Sequence, residues 1–286
     1  MKIEAYAKVN LTLEVFGERS DGYHALRSVV LPVSLADTLD VEVTDAGTVT
    51  SDAGYDDDLC VKAARILKSS VPSLSSFTGA KIAVTKRIPA GGGLGGGSAD
   101  AAATLVALNE AWGLGMSREK LAEIGAQVGS DVPALVLGGP VLMEGRGERV
   151  TRLPGGRETE GAGYRAVNLV LANPGVFSST KEVYAACTLR HTVDDSIVSR
   201  MRIALAEGDV PGIAAVLMND LQEPATALHP EIGEALAALK AAGAQGVLMS
   251  GSGSTVFGLV ESEARGAEIA AQLSAKGCWT RCVRSI

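Results

Sequence analysis

The chain has 286 residues, of which 47% are hydrophobic, enough to bury one large core or two medium ones. Its formal net charge of −7 provides no basic surface for nucleic acid or an anionic membrane, so an anionic ligand needs a local site. Charged residues among the first ten positions do not fit a secretory signal, and no apolar run reaches the ~20 residues of a membrane-spanning helix. We expect a cytoplasmic globular protein that binds neither nucleic acid nor membrane.

The four cysteines and three histidines do not predict a structural metal site. Only Cys278 and Cys282 lie close together, and their spacing, with no second pair or nearby histidine, is poor metal-binding geometry. We expect free thiols and no structural metal.

The first predicted strand runs from Ile3 to Phe16. Polar and apolar residues alternate along it, which predicts that each set lies on its own face. The apolar face would carry Val9, Leu11, Leu13 and Val15. The other would carry Lys8, Asn10 and Thr12. Without further context, that polar face is typical of a solvated strand.

A turn signal, Asp21-Gly22, follows this strand and presents Tyr23 and His24. Aromatic residues beside a turn are more often packing residues than ligand contacts. A second strand is predicted near Thr38 to Thr44, and a helix near Asp58 to Leu67.

The most informative segment is Pro89 to Ala103, where six glycines lie within seven positions before a helical pattern. A strand, Lys81 to Thr85, precedes it. The free N–H groups and the dipole at a helix start favour a phosphate, and glycines let the backbone approach a ligand closely. A P-loop is excluded because Ser98 follows Gly97 with no lysine. A dinucleotide fingerprint matches only trivially, and a flexible linker seldom joins a strand to a helix.

A further helix is predicted from Ser117 to Val128, ended by Gly129, with Ser117 as its N-cap. Asp131 follows and, on local sequence alone, is explained at least as well by capping a helix that starts at Val132-Pro133. The polar, glycine-rich stretch 155–163 is the best candidate for a domain boundary.

The second half interleaves helices and strands. The predicted strands are Ala166 to Ala172, Gly246 to Met249, Thr255 to Val260 and Trp279 to Val283. The predicted helices are Ser196 to Glu207, Glu231 to Ala242 and Ala264 to Ala275. The segment Gly251 to Ser254 reads as a tight hairpin between two strands. These patterns alone support only a mixed α and β protein.

The glycine-rich segment resembles the central motif of the GHMP kinases, a superfamily named for galactokinase, homoserine kinase, mevalonate kinase and phosphomevalonate kinase. Its form, three glycines, leucine, three glycines and serine, resembles the branch that phosphorylates 4-diphosphocytidyl-2-C-methyl-D-erythritol in non-mevalonate isoprenoid biosynthesis. Other matching segments follow in family order: Ala7-Lys8-Val9-Asn10-Leu11, Asp21-Gly22-Tyr23-His24, Gly129-Ser130-Asp131-Val132-Pro133 and Ser250-Gly251-Ser252-Gly253-Ser254.

The resemblance implies an α+β, two-domain fold with the active site in the cleft between the domains. A ribosomal-S5-like N-terminal, ATP-binding domain would span residues 1–155, and a ferredoxin-like C-terminal domain 164–286. The substrates implied are ATP, with Mg²⁺ carried on the nucleotide, and 4-diphosphocytidyl-2-C-methyl-D-erythritol. Another GHMP kinase, of the homoserine or mevalonate type, or a non-catalytic nucleotide-binding module stays open as an alternative, as does the oligomeric state.

The resemblance also implies roles for individual residues. The catalytic residues are Lys8 and Asp131, the aspartate as the base that accepts the proton of the attacking hydroxyl. ATP contacts are Asp58, Leu59, Pro89, Ala90, Gly91, Gly92, Gly93, Leu94, Gly95, Gly96, Gly97, Ser98 and Ala99. Acceptor contacts are Asn10, Tyr23, His24, Tyr184 and Ser252. In the family, the residue matching Tyr23 stacks on the cytosine, the one matching His24 hydrogen-bonds its edge, and Tyr184 matches a second aromatic.

Two positions depart from the family pattern. Asp58 stands where asparagine is common, beside the adenine pocket. Asp100 replaces a residue that is usually neutral, in the first turn of the helix after the glycines. A carboxylate there favours the helix dipole but would repel a phosphate, so we expect Asp100 to face away from the phosphates or to act through Mg²⁺.

Overall fold

The computed structural model describes residues 1–18, 22, 24–54, 57–74, 76–153 and 164–286. Its strands are β1 Lys2–Glu18, β2 His24–Thr44, β3 Val49–Ser51, β4 Gly79–Thr85, β5 Val141–Gly145, β6 Arg149–Arg152, β7 Asn168–Asn173, β8 Met218–Asn219, β9 Gly246–Met249, β10 Val256–Val260 and β11 Trp279–Arg284. Its helices are α1 Leu59–Ser69, α2 Gly96–Ala111, α3 Arg118–Gly125, α4 Val132–Leu137, α5 Thr180–Ala185, α6 Asp195–Glu207, α7 Val210–Ala214, α8 Gln222–Leu228, α9 Pro230–Ala241 and α10 Glu263–Ser274.

The first sheet is built around the long antiparallel pair β1 and β2. Its main strand order is β3-β4-β2-β1-β8, and β5 pairs with β2 and β6 with β5. The buried helix α2 packs against β1 and β2, with α1 and α4 beside it. The apolar side chains of these elements form the larger of two cores. Among the described residues, no helix is long and apolar enough to cross a membrane.

The second sheet is antiparallel throughout, with the order β11-β7-β10-β9. In chain order these are its fourth, first, third and second strands, with α9 and α10 packed against them. This is the ferredoxin-like arrangement, and the predicted α+β fold is therefore confirmed. The two halves also share a sheet, because Met218–Asn219 of β8 pairs in parallel with Thr12 and Leu13 of β1.

The prediction of one continuous apolar face on β1 is wrong. The pairing with β2 shifts register between Asn10 and Thr12, and such a bulge turns the residues that follow it to the opposite face. Val9 and Leu11 therefore pack in the first core, whereas Leu13 and Val15 pack in the second. A single strand thus contributes to both cores.

The polar residues Lys8, Asn10 and Thr12 of β1 are not solvated. Lys8 is 3% exposed, Asn10 2% and Thr12 0%. Burying a charge or an amide is unfavourable unless it is paired, so these side chains need defined partners. The interpretation of this face as a solvated strand surface is wrong.

Most predicted elements are found within a few residues of their expected limits, with three notable differences. β2 is 21 residues long and starts at His24, whereas the sequence predicted only its last part, near Thr38 to Thr44. The hairpin of β5 and β6 was not predicted. The third helix ends at Gly125 rather than at Val128, and the residues after it continue as hydrogen-bonded turns. The predicted boundary at 155–163 lies outside the described residues.

Candidate active site

The glycine-rich loop connects β4 to α2 and has an alternating backbone. Gly91, Gly93 and Gly95 have φ values of 64°, 73° and 70°, a region that residues with a Cβ rarely adopt. When left-handed and right-handed backbone conformations alternate, successive N–H groups point into one concavity, which suits an anion. The helix α2 begins directly after it, at Gly96, so its free N–H groups add to the same site.

Hydrogen bonds from distant parts of the chain fix this loop. The N–H of Lys8 donates to the carbonyl of Leu94 at 3.0 Å, and the N–H of Thr255 donates to the carbonyl of Gly92 at 3.1 Å. The hydroxyl of Ser250 donates to the carbonyl of Gly93 at 2.9 Å. A Cβ on Gly93 would lie 2.1 Å from the Ser250 carbonyl oxygen, so this approach requires glycine.

Lys8 is positioned by Asn10 and faces Asp131. Its ammonium donates to Asn10 Oδ1 at 2.6 Å and lies 3.5 Å from Asp131 Oδ2. The Asn10 amide in turn donates to Ser28 Oγ at 2.8 Å, which fixes the orientation of the amide. The Asp131 side chain is 27% exposed and that of Lys8 only 4%, so the carboxylate is the partner that solvent or a ligand can reach.

Asp131 occupies the N-cap position of α4, but its side chain makes no capping hydrogen bond. Its backbone is already helical, with φ −85° and ψ −13°, whereas an ordinary N-cap has extended backbone. The capping explanation of Asp131, open on local sequence, is therefore wrong. The carboxylate is turned toward Lys8 instead.

Two cavities meet at the glycine-rich loop. The larger, about 810 Å³, is lined by Lys8, Asn10 and Asp131 at one place and by His24, Tyr184 and Ser252 elsewhere on its wall. The smaller, about 490 Å³, is lined by Asp58, Leu59 and most of the loop. Both cavities are bordered by Gly91, Gly93, Gly95 and Ser98. Groups bound in the two cavities would therefore meet along this loop.

The wall of the larger cavity carries a pair of rings. The centroids of His24 and Tyr184 lie 5.5 Å apart, and the ring planes are tilted by 33°. Burial, together with the nearby Asp131 carboxylate, raises the pKa of the Tyr184 hydroxyl, which therefore stays protonated. Tyr23, predicted to stack on the same ligand, lies outside the described residues. Ser252 shares a hydrogen bond of 2.8 Å with Thr180 Oγ1.

The structure brings most of the predicted contact residues to one of the two cavities. Two are exceptions. The side chains of Leu94 and Ala99, 0% and 2% exposed, are packed in the first core. The predicted contacts that line the smaller cavity are Asp58, Leu59, Pro89, Ala90, Gly91, Gly92, Gly93, Gly95, Gly96, Gly97 and Ser98.

Comparison with known proteins agrees with this arrangement. Residues 58–139 match the GHMP kinases N terminal domain, and residues 201–277 match the GHMP kinases C terminal domain. The chain is 39% identical over 271 residues to a 4-diphosphocytidyl-2-C-methyl-D-erythritol kinase of Brevibacillus brevis, covering 93% of this chain and 89% of that protein. The corresponding kinase of Exiguobacterium sibiricum is 40% identical over 269 residues, covering 92% and 90%. The chain belongs to this family of GHMP kinases.

A solved structure of the same family supports the assignment. The crystal structure of a 4-(cytidine 5'-diphospho)-2C-methyl-D-erythritol kinase superposes with a TM-score of 0.81 at 34% identity, covering 100% of this chain and 99% of that one. As a GHMP kinase, the chain is an ATP-dependent phosphotransferase.

The two departures from the GHMP kinase pattern have structural explanations. Asp58 caps α1, because its carboxylate accepts hydrogen bonds from the N–H groups of Cys60 at 2.8 Å and Val61 at 3.3 Å. Asp100 is 2% exposed and accepts a hydrogen bond of 2.6 Å from the Lys86 ammonium, which also contacts the buried Asp37. Asp100 also lines the smaller cavity beside the glycine-rich loop, so it does not face away from this cavity as one of the two expectations had it, and its carboxylate is engaged there with the Lys86 ammonium.

In this cluster of Lys86, Asp100 and Asp37, the pKa values of Asp100 and Lys86 are both raised. Burial raises the pKa of Asp100 to about 7, although the Lys86 ammonium opposes this change. Burial by itself would lower the pKa of Lys86, but its hydrogen bonds to Asp100 and Asp37 outweigh this effect and raise it. Asp37 also accepts hydrogen bonds from the N–H groups of Arg87 and Ile88, whereas one oxygen of Asp100 has no hydrogen-bond partner among the described residues.

Sequence reasoning missed some residues that line the site. Lys86 lines the smaller cavity, and Arg146, Phe177 and Lys181 line the larger one. A signal existed for Lys86, since it is a cation placed between a strand and a phosphate-type loop. Phe177 and Lys181 offered no signal, because they lie in a loop and a short helix with no periodic pattern.

Proposed function

We propose that this chain transfers the γ-phosphoryl group of ATP to the 2-hydroxyl of 4-diphosphocytidyl-2-C-methyl-D-erythritol. The observation that carries this proposal is the pair formed by Lys8 and Asp131, 3.5 Å apart, beside the loop that borders both cavities. A nucleotide in the smaller cavity would present its phosphates to that loop. An acceptor in the larger cavity would present its hydroxyl to Asp131.

The proposed chemistry is an in-line phosphoryl transfer. As the acceptor oxygen attacks the γ-phosphorus, its proton passes to the Asp131 carboxylate, and the bond from phosphorus to the departing ADP oxygen breaks. The Lys8 ammonium, held by Asn10, faces the Asp131 carboxylate and offsets the negative charge that develops on the transferred group. The glycine-loop N–H groups and the start of α2 hold the phosphates.

Within the described residues, no group of three or more His, Cys, Asp or Glu side chains is placed to hold a metal ion. We infer that Mg²⁺ arrives on the phosphates of the nucleotide and neutralises part of their charge there. No residue of the chain is assigned to it.

The remaining roles concern the acceptor and the division of the chain. We propose that the cytosine binds against Tyr184 and His24, with Tyr23 on its other side, and that Ser252 contacts the acceptor. We also propose that residues 1–155 form the ATP-binding domain and 164–286 the C-terminal domain. The half-buried ring of Tyr184, in contact with His24 on the wall of the larger cavity, supports this proposal, and a base stacked on it would gain ~1–3 kcal/mol.

A turnover assay with three acceptors tests this function. ADP release is measured with 4-diphosphocytidyl-2-C-methyl-D-erythritol, homoserine and mevalonate, each with ATP. We expect turnover with the cytidyl acceptor alone. Turnover with homoserine or mevalonate instead would assign another GHMP activity, and ATP binding without any transfer would indicate a nucleotide-binding module.

A further inference from the structure

Phe177 is an exposed aromatic residue on a loop whose backbone is fixed. Its exposure is 75%, and the ring belongs to neither of the two cores. The residues on both sides are tied to the loop between β9 and β10. The Ser178 hydroxyl donates to the Ser252 carbonyl at 2.6 Å, and the Ser254 hydroxyl donates to the Val176 carbonyl at 2.6 Å. The ring is therefore presented outward by an anchored backbone.

The ring projects over the glycine-rich loop. Its Cδ2 and Cε2 atoms lie 3.4 Å from the position that a Cβ on Gly91 would occupy. Gly91 borders both cavities, and Phe177 itself lines the larger one, where Lys8 and Asp131 also lie. The phenyl group thus stands at the edge where the phosphate loop meets the acceptor cavity.

A ring at this place cannot hold phosphate by charge or hydrogen bonding, but it can exclude water. We propose that Phe177 shields the transferred phosphoryl group from water once both substrates are bound. This inference rests on the proposed function. The reaction that it suppresses is hydrolysis, in which a water oxygen bonds to the γ-phosphorus, the bond to the ADP oxygen breaks, and ADP, inorganic phosphate and a proton are released.

The test measures how phosphate is divided between acceptor and water. With ATP labelled in its γ-phosphate, phosphorylated acceptor and inorganic phosphate are quantified together for wild type, Phe177→Ala and Phe177→Leu. The matched control is Phe77→Ala, because Phe77 is similarly exposed, at 71%, but lines neither cavity. Melting temperatures are compared for all four proteins.

We expect Phe177→Ala to raise the ratio of inorganic phosphate to phosphorylated acceptor about tenfold, equivalent to ~1.4 kcal/mol. Phe177→Leu should restore most of the wild-type ratio, and Phe77→Ala should not change it. An unchanged ratio in Phe177→Ala overturns the inference. If the acceptor KM rises while the ratio stays unchanged, the ring is a surface that binds the acceptor instead. Absence of phosphorylated acceptor with wild type would instead contradict the proposed function.

Discussion

The Lys8 ammonium lies 3.5 Å from Asp131 Oδ2 and donates a hydrogen bond to Asn10 at 2.6 Å. The lysine therefore has one fixed neutral partner and one acidic partner on the open side of the cleft. The asymmetry leaves the carboxylate available to a ligand while the cation stays in place. This pair determines the first two predictions.

Asp131→Asn should remove the proposed base without disturbing the fold. Asparagine cannot accept the proton, so turnover should fall by roughly 10²–10⁴. Because the Asp131 side chain makes no capping hydrogen bond, no helix cap is lost, and loss of the ion pair with Lys8 should lower the free energy of unfolding by only about 1 kcal/mol. Steady-state rates and thermal unfolding of the same preparation give both quantities. Turnover close to that of the wild type would remove Asp131 from the mechanism.

Lys8→Met should remove the cation and keep most of the stem. The stem packs beneath the glycine-rich loop, since a Cβ on Gly95 would lie 3.1 Å from Lys8 Cε. We expect turnover to fall by about 10²–10³, as for loss of one stabilising donor. The buried Asn10 oxygen loses its donor, which costs about 1–3 kcal/mol of unfolding free energy. A loss of stability with turnover preserved would show that Lys8 is only structural.

Gly95→Ala and Gly97→Ala should have opposite effects on stability. Gly95 has φ +70°, where an alanine costs ~1–2 kcal/mol, and the new Cβ would press on the Lys8 stem. Gly97 lies within α2, and among the described residues its Cβ would meet only Leu59 Cδ1, at 3.5 Å. Alanine should stabilise that position by up to about 1 kcal/mol. Thermal unfolding without nucleotide measures both, and equal effects would contradict the described loop conformation.

Tyr184→Ala should weaken binding of the cytidyl acceptor selectively. Loss of ~1–3 kcal/mol of stacking corresponds to a rise in acceptor KM of roughly 5- to 150-fold. The KM for ATP should stay unchanged. The matched control is Tyr184→Phe, which keeps the ring and should behave as the wild type. Initial rates with each substrate varied in turn give both KM values for each of the three proteins, and a parallel rise in both KM values of Tyr184→Ala would refute a cytosine-binding role.

Asp100→Asn should change how stability depends on pH. The folded-state pKa of Asp100, about 7, is above its ordinary value of 3.8, so the folded protein holds this proton more tightly than the unfolded chain. The wild type therefore loses stability as pH rises from the lower value through the upper one. Asparagine has no proton to lose, and Lys86 keeps its contact with Asp37.

The measurement for Asp100 is the difference in melting temperature between variant and wild type. From about pH 5 to about pH 8, the melting temperature of Asp100→Asn should rise relative to that of the wild type, because only the wild type loses stability over this range. Each pKa unit of difference between the folded and unfolded states corresponds to ~1.4 kcal/mol. Asp58→Asn, at the half-buried N-cap of α1 on the wall of the same cavity, serves as the control substitution. A constant difference for Asp100→Asn would mean that Asp100 stays ionised throughout.

Local signals predicted much of this molecule from its sequence. The N-cap at Ser117 was predicted and is confirmed, since its hydroxyl accepts the N–H of Lys120 at 3.2 Å. The strand before the glycine-rich loop and the helix after it were also correct, because an apolar pattern bounded by glycine is a strong short-range signal. The two matched domain models agree with the motifs from which the family was inferred.

Long-range packing decided what the sequence could not predict. The β1 bulge is invisible in the alternation of residues, because Leu11 and Leu13 are both buried, although in different cores. The local sequence of Asp131 is that of a helix cap, and its role beside Lys8 was implied only by the family resemblance; the structure places the two side chains 3.5 Å apart. The Lys86 cluster likewise joins residues from separate elements.

A structure of the protein with an unreactive ATP analogue and 4-diphosphocytidyl-2-C-methyl-D-erythritol tests the central claim most directly. The decisive quantity is the distance from the Asp131 carboxylate to the 2-hydroxyl of the acceptor. We predict a distance of about 2.6–3.2 Å, with the polyphosphate along the glycine-rich loop. A polyphosphate bound elsewhere, or a hydroxyl remote from both Asp131 and Lys8, would contradict the account.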